Sequence, residues 1–70
     1  MNNQFSAVIK KAGKWWIGWI EEVPGVNCQE RSRAELVKSL KEALKEAIVL
    51  NRKDAVNAAG KDFEETRIAV

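Results

Sequence analysis

The sequence predicts an α+β fold, a single small domain of β-β-β-α-β order whose four-stranded sheet carries one helix on one face. Three observations lead there. A β-branched, tryptophan-rich stretch lies between two turn signals, at Ala12-Gly13-Lys14 and Pro24-Gly25. A capping-box pattern, Ser32-Arg33-Ala34-Glu35, then opens an apolar stripe of helical period. Alternation returns after Gly60, in the last eight residues.

Residues 5–10 place Phe5, Ala7 and Ile9 on one face and Val8 on the other, which is strand periodicity. Lys11-Ala12-Gly13-Lys14 supplies a turn, because Gly13 takes positive φ at no steric cost. Residues 15–23 are too short and too rich in tryptophan for a helix, so the two runs form an antiparallel hairpin. Pro24 lacks the ladder N–H and ends that strand. Residues 26–31 make a third strand with Val26 and Cys28 facing the same way. The helix stripe is Leu36, Leu40, Ala43, Leu44, Ala47 and Ile48, widened by Val37. Asn51 and Asp54 fall on its apolar arc, so the helix is expected to stop or change its packing there, with Ala55 to Ala59 able to add a turn or two before Gly60. Residues 63–70 form a last strand with Thr66, Ile68 and Val70 on one face. Counting directions, that strand runs parallel to the first and pairs beside it, giving a mostly antiparallel sheet of order 3-2-1-4.

Composition narrows the chemistry. Seventy residues make one domain, 1–70, and exclude folds such as the (β/α)₈ barrel, which needs roughly 250. Zero histidines remove the usual Ser-His and Cys-His relays, and one cysteine rules out an internal disulfide and a Cys/His metal site. No cofactor is expected, and the chain reads as a binding protein and not an enzyme. A net charge of +2 from 12 basic and 10 acidic residues falls short of a dedicated nucleic-acid binder. No apolar run is long enough to span a bilayer and no signal-peptide core opens the chain, so no membrane partner and a cytoplasmic location are expected.

The order of these pieces resembles the HicB antitoxin family. The residues that carry the likeness are Glu22-Val23-Pro24-Gly25 at the end of the Trp-rich strand, Ser32 and Glu35 opening the helix, and the Glu42-Ala43 and Glu46-Ala47 pairs within it. They lie within residues 5–50. The resemblance implies a protein that binds and occludes a small HicA-like ribonuclease toxin. It also implies the short, partner-binding form: complete members append a DNA-binding segment, none is expected here, and direct DNA binding is not implied.

The candidate interface residues are Trp16, Trp19, Glu21, Glu22 and Glu30. In a strand, Trp15, Ile17 and Trp19 share one face while Trp16, Gly18 and Ile20 share the other. One helix covers one face only, so at least one tryptophan is expected at a homodimer or partner surface, where this residue is a common anchor. Complete burial under the helix, or stacking on RNA bases, are the other uses of such a cluster. Glu21, Glu22 and Glu30 are either solvated strand-end charges or an acidic surface complementary to a basic partner. Lys38, Lys41, Lys45 and Arg52 share an arc of the helix beside Glu35, Glu42 and Glu46, the pattern of a solvated face. An RNA-binding sheet using an exposed tryptophan with the helix lysines is the alternative function, and a dimerising domain without a toxin partner is another. Cys28 reads as a small buried hydrophobe.

Overall fold

The computed structural model describes residues 4–69. Strand β1 (Ala7–Ala12) pairs antiparallel with β2 (Trp15–Ile20), which pairs antiparallel with β3 (Asn27–Glu30). The sheet order is β1-β2-β3, and one helix, α1 (Arg33–Ala59), packs on β2 and β3.

The turns follow from their residues. Ala12 pairs with Trp15, so Gly13-Lys14 is a two-residue hairpin loop. Gly13 sits at φ 61° and Lys14 does not share its positive φ, which is the type II′ pattern. At the other end the Val26 N–H donates to the Val23 carbonyl at 3.4 Å, with Gly25 at φ 91°. Proline then glycine at the two central positions is the type II requirement.

Ser32 is the N-cap of α1, with extended backbone, and its Oγ accepts from the Glu35 N–H at 3.2 Å. The Glu35 carboxylate closes the motif differently from the usual box. It accepts from the Ser32 hydroxyl itself, Oγ to Oε1 at 2.9 Å.

The core is small: Ile20, Val26, Leu36 and Leu40 are buried, with Ile9, Trp16, Val23, Cys28, Ala43, Leu44 and Ala47 packed around them. Leu36 (0% exposed) and Leu40 (2%) rest on Gly18 of β2. A Cβ at Gly18 would lie 2.9 Å from the Val8 carbonyl oxygen, 3.1 Å from Leu40 Cδ1 and 3.2 Å from Leu36 Cδ2. Glycine is therefore what lets the helix come down onto the strand. A second tie joins β3 to α1, where the Ser39 hydroxyl donates to Glu30 Oε2 at 2.7 Å.

The expected four-stranded sheet of order 3-2-1-4 is incorrect. The sheet has three strands, and residues 63–69 form no strand; Val70 lies outside the described residues. The cause is the helix. It does not stop at Asn51 or Asp54 but continues to Ala59, and residues 49–69 are all exposed. A helix that has left the sheet buries nothing, so polar residues on its former apolar arc cost nothing and good helix formers keep it going. Twenty-seven residues at 1.5 Å each give about 40 Å, roughly twice the length of a six-residue strand. Gly60 then ends the helix at φ 74°, its N–H donating to the Val56 carbonyl, well past the sheet. Between the start of β1 and α1 lies a shallow apolar groove bordered by Phe5, Ala7, Val37 and Leu44.

Substitutions should divide along that boundary. Leu40→Ala should cost about 2–5 kcal/mol by opening a cavity, and Gly18→Ala about 1–3 by forcing helix and strand apart. Ser32→Ala should cost about 1 kcal/mol through loss of the cap. Leu50→Ala should change stability by less than about 0.5 kcal/mol, as at an exposed site. Urea denaturation of the four variants checks the ranking; Leu50→Ala as costly as Leu40→Ala would mean that the distal helix is packed.

Candidate functional site

The pairing register sorts the side chains of the sheet. Ala7, Ile9 and Lys11 share the helix-covered face with Trp16, Gly18, Ile20, Cys28 and Glu30. The opposite face carries Val8, Lys10 and Ala12 on β1, Trp15, Ile17 and Trp19 on β2, and Asn27 and Gln29 on β3. No element among the described residues covers that second face. Trp19 is 40% exposed there, while Trp15 and Ile17 are half-buried by their neighbours across the strands.

The five residues singled out from the sequence do not form one patch. Trp19, Glu21 and Glu22 come together at the end of the sheet that holds the Pro24-Gly25 turn. A shallow depression there is lined by Trp19, Glu21, Pro24, Gly25 and Asn27. Trp16 is directed to the helix-covered face and packs against the core. Glu30 pairs with Trp16, four residues and about 13 Å along the strands from Ile20. Its carboxylate is held by Ser39.

The acidic end is built into the fold. Glu21 is fixed by its backbone, its N–H donating to the Ser6 carbonyl at 2.9 Å. Glu22 Oε1 accepts from the Ser6 N–H at 2.8 Å. That hydrogen bond is the main reason the Glu22 carboxyl lies below its ordinary value, so it keeps its charge in mild acid. The Glu22 side chain remains fully exposed and its charge is presented to solvent. The neighbouring apolar surface belongs to Trp19 and Pro24. An aromatic anchor beside two carboxylates, that of Glu22 held in place, is suited to a basic, partly apolar protein surface.

The opposite end of the sheet has the opposite character. Lys11 Nζ lies 5.4 Å from the Trp16 ring centroid, and Arg31 Cζ lies 4.9 Å from that of Trp15. Sequence reasoning noted the tryptophans but missed these cations. Their signal was present in the short Lys10-Lys11…Lys14-Trp15-Trp16 run, which a hairpin turn necessarily gathers at its tip. The helix lysines Lys38, Lys41 and Lys45 lie on α1, which covers the sheet face away from Trp19. Trp19 and the helix lysines therefore do not share a surface.

Cys28 is half-buried on β3, and burial, followed by the charge of Glu30, raises its pKa. Both effects favour the thiol over the thiolate, which is the nucleophile. Among the described residues no group of three or more metal-ligating side chains converges, and no helix is long and apolar enough to cross a membrane. No family model, curated protein or solved structure matches the chain.

The Glu22 bond gives a definite pH dependence. Because its folded pKa is depressed, its contribution to stability is present above the ordinary carboxylate pKa and fades as pH falls through the lower, folded value. Glu22→Gln should flatten the acid limb of the stability curve as pH falls below the ordinary carboxylate range, while leaving its shape near neutrality unchanged. Thermal unfolding across that range checks it, and an unchanged acid limb would remove the Ser6 contact from the account.

Proposed function

We propose that the chain is a non-catalytic binding module, an antitoxin of HicB-like character or a relative of one, that occludes a small basic ribonuclease of the HicA-like class. The carrying observation is exposed Trp19, on a sheet face that no element among the described residues covers, with Glu21 and Glu22 in the turn that follows at the same end of the sheet. The enzyme is basic because its substrate is a polyanion, and a carboxylate-flanked aromatic anchor matches such a surface in charge and in apolar area. The cytoplasm, where a toxin of that kind meets RNA, is the corresponding location. No cofactor or membrane enters this reading.

Self-association is the other use of the same face. Among the described residues four apolar side chains make the buried core, which is small for an independent fold, and exposed Trp19 lies where a second copy could cover it. The homodimer would then exchange its partner copy for the toxin, since both need the Trp19 surface.

The direct test begins with the reading frame beside this gene, expected to encode a small basic protein containing histidine. Its expression should arrest growth, co-expression of this chain should relieve the arrest, and the two proteins should elute together. Trp19→Glu and Glu21→Lys should each weaken the complex at least tenfold, while Ile68→Glu, far out on an 80%-exposed residue, should leave it intact. Absence of such a neighbour, or a complex indifferent to Trp19→Glu and Glu21→Lys, would overturn the proposal.

A further inference from the structure

The hairpin end of the sheet gathers Lys11, Lys14, Arg31 and Arg33 around Trp15 and Trp16. All four cations are exposed and both rings are half-buried. The convergence is topological: β1 ends, β2 begins, and β3 ends at this one edge, and α1 starts there. Lys10 adds a fifth positive charge on the uncovered face one residue away. The carboxylates nearby are Glu30 and Glu35, and each already accepts a hydroxyl hydrogen bond, from Ser39 at 2.7 Å and from Ser32 at 2.9 Å. Glu21 and Glu22 lie at the far end of the strands. The sheet is thus charged oppositely at its two ends, although the chain as a whole carries only +2.

From this arrangement we infer that the hairpin end binds a single-stranded polynucleotide. The cations are spaced along an edge and not closed around a point, which fits a run of backbone phosphates better than a lone anion. The start of α1 adds its positive dipole end to the same field. Trp15, on the uncovered face, offers a stacking surface for an unpaired base, and the Arg31 guanidinium seated near its ring attracts an electron-rich face and a phosphate together. A duplex turns its bases inward and would use the cations alone, so single strands are the favoured class. This site is separate from the Trp19 end and stands whether or not the ribonuclease reading holds.

Tryptophan fluorescence of the full chain, titrated with 12-mers of uridylate and of thymidylate, tests the inference and separates RNA from DNA as the source. Quenching is expected at 50 mM salt with at least one of the two. For about three or four phosphate contacts, log K should fall with log salt at a slope of roughly −2 to −3. Lys14→Glu with Arg33→Glu should weaken binding at least tenfold. Lys38→Glu with Lys45→Glu, the same charge change on the outer flank of α1, should alter it less than threefold. Trp15→Leu should weaken binding about three- to tenfold and leave the salt slope unchanged. Circular dichroism confirms that the variants fold, and Lys14→Gln, at an exposed turn, supplies a milder variant with the same direction of effect. No quenching by either 12-mer, equal losses in the two double variants, wild-type affinity in Trp15→Leu, or equal affinity for a 12-base-pair duplex would each overturn it.

Discussion

Everything in this structure depends on two leucines lying directly on a glycine. Leu36 and Leu40 are the most deeply buried side chains, and their methyl groups meet the backbone of β2 at Gly18. Full burial of each leucine is worth about 1.5–3 kcal/mol, a large part of the stability available to so short a chain. The contact also sets the height of the helix above the sheet. With Gly18 on the helix side, the alternation of β2 places Trp16 and Ile20 on that side as well and turns Trp15, Ile17 and Trp19 outward. The exposed aromatic face is the geometrical consequence of the buried one.

The two ends of that sheet acquire opposite chemistry from the turns that close them. The β1–β2 hairpin and the entry to α1 bring lysines and arginines to one edge, where Trp15 and Trp16 each sit near a cation. The Pro24-Gly25 turn and the return of the chain to Ser6 bring Glu21 and Glu22 to the other, beside Trp19. A module of this size can in this way offer a basic partner and a polyanion separate surfaces. For a protein that would meet both a ribonuclease and RNA, that separation lets each be recognised by charge of the fitting sign.

Local signals in the sequence read true where tertiary packing agreed with them. The hairpin, the turn at Pro24-Gly25, the Ser32 cap and the Leu36-Leu40 stripe each rest on chemistry within a few residues, and each is in place. The assignment of opposite faces to Trp15 and Trp16 needed only the period of a strand. The fourth strand failed because alternation at Thr66 and Ile68 says nothing about whether a sheet edge is within reach. That depended on the end of α1, and an overhanging helix shows no apolar stripe by which its length could be read. The candidate site was partly legible for a related reason. Trp19, Glu21 and Glu22 are near neighbours in sequence and remain so in space, whereas Glu30 is brought by the antiparallel return of β3 to the opposite end.

The central claim is that packing ends where the helix leaves the sheet, so that among the described residues one sheet face and the β1 edge stay open. Amide hydrogen exchange followed residue by residue by NMR tests it most directly. The account predicts the strongest protection in β2 and in residues 36–47 of α1, weaker protection on the outer edges of β1 and β3, and little beyond residue 60. Protection across residues 64–68 comparable to that of β2, together with slowed exchange along the free edge of β1, would contradict it.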